Sequence, residues 1–163
     1  MKRFYYFLLL LVFSSCSEKT QRFLDAATNK QGDVPKSIVG INAFFNDGTF
    51  GSIPAQHADI SQNLGIRHLR VLAGWNNDSQ PSPDSPLFFG FLDEIVNSAP
   101  AGTDILLVCT HTPSWMANKK NWINGNPRET FVQKFLLPVA AHYSGNSKVI
   151  GFEVFNEPNI ITV

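Results

Sequence analysis

From residue 38 onward the sequence alternates short β-rich runs with helical stretches, and that alternation leaves few folds open. Ile38-Val39-Gly40-Ile41-Asn42 reads as a first strand, followed by a loop around Asn46-Asp47-Gly48 and a helix from about Pro54 to Leu64, which Gly65 ends. Ile66 to Leu72 is a second strand, and Ser85-Pro86 opens a second helix whose Phe88, Leu92, Ile95 and Val96 repeat at helical spacing. Asp104 to Thr110 is a third strand. A third helix, from about Arg128 to Tyr143, has Phe131, Phe135 and Val139 on one face and Pro138 to bend it, and Lys148 to Phe155 is a fourth strand. This order predicts an α/β fold of parallel strands joined by right-handed crossovers.

The links from helix back to strand are short, whereas those from strand to helix are long, notably Ala73 to Ser85 and His111 to Pro127. In parallel α/β folds the strand-to-helix loops share the carboxyl face, where ligands bind, and long loops in a compact domain are usually functional. Trp75, Trp115 and Trp122 all fall in these two loops. An indole offers an apolar face on which the C–H surface of a sugar packs, with an N–H to spare, so the three predict a carbohydrate cleft; each alone also reads as a lid over the local core.

With 163 residues, 44% of them hydrophobic, the chain has the length of one domain and too much apolar content for disorder. Thirteen Lys and Arg balance thirteen Asp and Glu, which leaves no electrostatic footprint for nucleic acid. The four histidines show no metal-ligand spacing, so neither metal nor cofactor is expected; His57 and His142, on helices, read as surface residues.

At the N-terminus, Met1-Lys2-Arg3 precedes the apolar run Phe4 to Phe13 and the small residues Ser14 and Ser15. That reads as a secretory signal over residues 1–15, its apolar run far short of the ~20 residues of a membrane span. Phe13-Ser14-Ser15-Cys16 resembles the bacterial lipobox, departing from it at Phe13. The resemblance implies a lipidated Cys16 and an exported lipoprotein of the bacterial cell envelope; the alternative is an ordinary secretory signal containing a cysteine. Residues 16–37 read as a polar tether, and Cys109, in an apolar stretch, as a buried free thiol.

Gly151-Phe152-Glu153-Val154-Phe155-Asn156-Glu157-Pro158-Asn159 carries the chemistry. Pro158 stops the strand because it lacks the N–H that would extend the ladder, so Glu157 sits at the carboxyl mouth among aromatic residues. Desolvation there raises a carboxyl pKa, which suits a general acid, and Asn156 can both donate to and accept from a hydroxyl. By chance an Asn-Glu-Pro triplet arises at about one position in ten thousand.

In this stretch the chain resembles the clan A glycoside hydrolases, retaining enzymes on a (β/α)8 barrel that include cellulase-like and β-xylosidase-like families. The resemblance implies that residues 38–163 are the N-terminal half of such a barrel, four parallel strands and three helices, and that the substrate is a poly- or oligosaccharide with β-linked O-glycosidic bonds. It implies Glu157 as acid/base and Asn156 as the ligand of the hydroxyl beside the scissile bond. Arg70, ending strand two, matches the arginine that supports the nucleophile; His111 matches a frequent subsite histidine, and Thr112-Pro113-Ser114-Trp115 is similar to the loop that follows it. Arg70 also reads as a structural partner of Glu153, because two-residue alternation puts Glu153 and Glu157 on the same side, facing the barrel interior; the roles are compatible.

Retaining hydrolysis needs a second carboxylate ~5–5.5 Å from the first, which in the clan comes from strand seven. Asp47, Asp78 and Asp84 lie in carboxyl-face loops, but loop tips hold a nucleophile poorly. The isolated chain is therefore expected to be inactive, and an open half-barrel to self-associate through its edges. The competing expectation is a lipid-anchored, non-catalytic glycan-binding module using the tryptophan-rich loops.

Overall fold

The computed structural model describes residues 38–46 and 48–156, all within one unit of the chain, Lys36–Val163. The expected signal over residues 1–15, Cys16, the expected tether over residues 16–37, Asp47 and Glu157 lie outside the described residues.

Four strands, β1 (Gly40–Ala43), β2 (His68–Gly74), β3 (Asp104–Thr110) and β4 (Val149–Val154), form one sheet in the order β1-β2-β3-β4. All three pairings are parallel, aligning Asn42 with Arg70, Arg70 with Leu106 and Val108 with Glu153; the register of β3 on β4 shifts between Ile105 and Leu106. The observed β3 has the predicted bounds, and the other three lie within one or two residues of theirs.

The first helix, α1, runs from Ile53–Ala58 into a π-helical turn, Asp59–Asn63. Pro54 suits its opening turn, where a missing N–H costs nothing, and the Ser52 hydroxyl accepts from the Ala55 amide. The second, α2 (Gly90–Ser98), starts later than Ser85-Pro86 predicts. The segment before it is committed to the loop: the Phe88 amide donates to the Ser79 carbonyl and Gln80 Nε2 to the Ser85 carbonyl, both at 2.8 Å. Phe88 thus lies outside the helix, and it is exposed.

The third helix, α3, comprises Pro127–Phe131, a π turn at Val132–Leu136, and Leu137–His142. Asn126 caps it, its Oδ1 accepting from the Arg128 and Glu129 amides. The wide turn falls immediately before Pro138, whose ring would otherwise meet the carbonyl four residues back.

One face of the sheet carries the core. Leu69, Val71 and Ala73 of β2 and Ile105, Leu107 and Cys109 of β3 alternate toward α2 and α3, where Ile95, Val96, Phe135 and Val139 meet them, all buried. Cys109 is a free, buried thiol, and burial pushes its pKa up to about 11.

His57 corrects the surface reading. It is 2% exposed, lies 4.5 Å ring to ring from Phe45, and donates from Nε2 to the Ile95 carbonyl at 2.9 Å, tying α1 to α2. Burial lowers its pKa; the Ile95 bond opposes this and the charge of Lys148 adds to it. His142 is exposed as expected, but bonds Asp93 at 2.7 Å and stacks on Phe89. Lys148, just before β4, extends its ammonium to the end of α2, donating to the carbonyls of Val96, Asn97 and Ala99.

Candidate functional site

The opposite face of the sheet holds a polar cluster that strand alternation assembles. Asn42, Arg70 and Glu153 occupy three different strands on the side away from the helices. Arg70 grips Glu153 with a fork, Nε to Oε2 at 2.8 Å and Nη2 to Oε1 at 2.7 Å. Its Nη1 donates to Asn42 Oδ1 at 2.9 Å, and Nη2 also donates to Asn156 Oδ1 at 3.0 Å. The hydrogen bonds from Arg70, joined by its charge, hold the Glu153 carboxyl below the usual glutamate range against a smaller opposing desolvation. The structural pairing expected for Arg70 and Glu153 is therefore present, and Arg70 in addition orients Asn156.

Strict alternation does not bring Asn156 there. Three positions after Glu153, it belongs by the two-residue period on the helix side. Phe155 breaks the period: with φ at 61° it sits in the left-handed region, which a bulky residue rarely adopts. The Phe155 amide still donates to the Cys109 carbonyl at 2.9 Å, and its ring packs at 4.7 Å from that of Phe131. Holding Phe155 against α3 while the backbone turns leaves the next side chain, Asn156, facing Arg70. The alternation that groups Glu153 with Glu157 thus ends at Val154, and Glu157 itself lies outside the described residues.

The tryptophans divide. Trp75 is fully buried, stacked on Phe135 with ring planes 7° apart, and its Nε1 donates to Gln80 Oε1 at 2.8 Å. It is a core residue with no face for a sugar, correcting its assignment as a platform. Five positions from Arg70, it falls on the helix side, a parity visible in the sequence. Trp115 and Trp122 are half-buried, and their N–H groups are spent on the Gln80 and Met116 carbonyls. Neither keeps an indole donor for a hydroxyl, so all three rings act first in holding the long loops to the fold.

His111 follows β3 at the carboxyl face, exposed, with φ at 65°. Its Nδ1 lies 3.3 Å from where a Cβ on Gly74 would stand, so Gly74 leaves the ring its place. Beside it opens a cleft of about 440 Å³ at the ends of β1 and β2, bounded by Asn46, by Asp78, one of the loop acids named from the sequence, and by Phe44, Phe45 and Phe89, which sequence reasoning passed over. Their signal was their place, in the loops after β1 and β2.

A parallel α/β sheet of consecutive strands, with an arginine-centred polar cluster on the face away from the helices and long loops at the carboxyl ends, is part of a (β/α)8 barrel of the enzyme type. The family model for cellulase, glycosyl hydrolase family 5, matches residues 28–162, and the chain belongs to that family. It is a clan A glycoside hydrolase family, in agreement with the resemblance read from Asn156-Glu157-Pro158. No curated protein and no solved structure matches the chain.

Proposed function

We propose that the chain carries the acid/base half of a retaining glycosidase acting on β-linked poly- or oligosaccharides, with Glu157 as acid/base and Asn156 as ligand of the sugar hydroxyl beside the scissile bond. The observation that carries this reading is the 3.0 Å bond from Arg70 Nη2 to Asn156 Oδ1. It fixes the amide immediately preceding Glu157 in the chain and leaves the Asn156 NH2 group to donate to a substrate oxygen.

Glu157 protonates the departing glycosidic oxygen, then takes a proton from water in the second step. The nucleophile is a second carboxylate, which the clan draws from strand seven. Three acids of the described residues are already engaged, Glu153 by Arg70, Asp93 by His142 and Tyr143, and Asp104 by His68. Asp78 and Asp84 lie on loops, which hold a nucleophile poorly.

Incubation of the purified chain with 4-nitrophenyl β-glycosides tests it. No nitrophenol release is expected; release abolished by Glu157→Gln would overturn the assignment of the nucleophile elsewhere while supporting Glu157. In an active enzyme carrying these residues, methanolysis is expected to give the β-methyl glycoside, and an inverted product overturns the retaining mechanism.

The basic start, apolar run and lipobox-like Phe13-Ser14-Ser15-Cys16 support an address at the bacterial cell envelope, with Cys16 as lipid anchor. Labelling with a radioactive fatty acid in the bacterial host, lost in Cys16→Ser, is the expected result. Unlabelled chain in the culture medium overturns it.

A further inference from the structure

The cleft beside His111 has a lining unlike that expected for a sugar ring. Phe44, Phe45, Phe88, Phe89, Phe91 and Phe135 all border it, with no tryptophan or tyrosine among the described residues that line it. Phe45 and Phe135 are buried and form the floor, whereas Phe44, Phe88 and Phe91 are 57%, 68% and 43% exposed around it. Large exposed apolar side chains gathered about one concavity mark a binding groove rather than scattered surface residues.

A pyranose carries hydroxyls around its whole edge, and each one buried without a partner loses its hydrogen bonds to water. Phenylalanine offers none in return. A planar aromatic ring has no such groups and matches the edge and face contacts of several phenyl rings at once. The polar side chains on the lining are Asn46, Asn76, Asp78, Ser79 and His111. Asn76 and Ser79 are spent on backbone amides of their own loop, whereas Asn46, Asp78 and His111 are not bonded through their side chains to another described residue. The volume of about 440 Å³ is that of a small-molecule site.

We propose that this cleft takes an aryl group attached to a sugar, the ring among Phe44, Phe88 and Phe91 and the first sugar hydroxyls at Asp78 and His111. The inference rests on the glycoside hydrolase reading for the sugar and on the cleft alone for the ring. The aryl group enters either as the aglycone of an aryl glycoside or as an aromatic ester on the glycan.

Calorimetric titration of the full chain with 4-nitrophenyl β-D-glucopyranoside, methyl β-D-glucopyranoside, 4-nitrophenol and methyl 4-hydroxycinnamate tests this. The aryl glucoside is expected to bind at least about tenfold more tightly than the methyl glucoside, with free nitrophenol also binding. Phe88→Ala and Phe91→Ala, at exposed positions where the fold is little affected, are each expected to weaken aryl binding severalfold with unchanged circular dichroism. Tighter binding of the glucoside than of the cinnamate assigns the ring to an aglycone; the reverse assigns it to an ester.

Equal binding of aryl and methyl glucosides, no binding of either aryl compound, or unchanged affinity in both folded variants overturns the proposal. The titration reads no hydrolysis, so it fails or succeeds independently of Glu157. Aryl binding retained in Glu157→Gln separates the two readings.

Discussion

Arg70 of β2 and Glu153 of β4 stand 83 positions apart in the chain and are joined across β3 by two parallel hydrogen bonds of 2.8 and 2.7 Å. The same guanidinium reaches Asn42 on one side and Asn156 on the other, so a single planar group sets the spacing of three strands at the face where the chemistry is proposed.

That pairing has a pH signature. Arg70 lowers the Glu153 pKa from its ordinary 4.5, so the stabilisation is complete above that value and is lost as pH falls through the lower folded one. Carboxyl 13C NMR is expected to show Glu153 titrating below 4.5, and Arg70→Met to move it back upward. An unmoved titration in the variant contradicts the pairing.

His57 predicts a second pH effect, nearer neutrality. Its folded pKa lies below the ordinary 6.5, so the unfolded chain binds the extra proton first, and stability declines as pH falls below 6.5. The urea midpoint of the native chain is expected to drop between pH 7.5 and 5.5 by more than that of His57→Gln, whose amide can still donate to Ile95. Equal drops remove the argument.

At Phe155 the usual ranking of small residues is inverted. Glycine in a strand is ordinarily worse than alanine, but a left-handed residue costs alanine about 1 kcal/mol that glycine avoids. Phe155→Gly is therefore expected to be less destabilised than Phe155→Ala, both losing the ring packing on Phe131. Denaturant unfolding of the two variants decides it.

Trp75 is expected to behave as core. Trp75→Ala costs about 3–5 kcal/mol by the usual scale for buried aromatics. In Trp115→Phe/Trp122→Phe, the emission of Trp75 should be blue-shifted, resistant to iodide and unchanged by added sugar. Sugar-dependent emission there restores the platform reading.

The strand order and pairing were legible because they rest on short apolar runs separated by helical stretches, as at Asp104–Thr110, with Pro158 stopping the last. The Arg70–Glu153 contact was legible for the same reason, both residues sitting at inward positions of a period of two. The left-handed turn at Phe155 was not, since nothing local marks a phenylalanine for a conformation that packing against Phe131 imposes. The delayed start of α2 was hidden likewise, because the bonds from Phe88 to Ser79 and from Gln80 to Ser85 belong to the folded loop. His57 was misread because its pattern is that of any helix histidine, and only the carbonyl of Ile95 distinguishes it.

The ammonium of Lys148 closes the far end of α2 from a position just ahead of β4. During synthesis the carbonyls of Val96, Asn97 and Ala99 leave the ribosome some fifty residues before their donor does. The second helix therefore acquires its final boundary only when the fourth strand arrives, and the last turn of one element serves as the latch that records the docking of another.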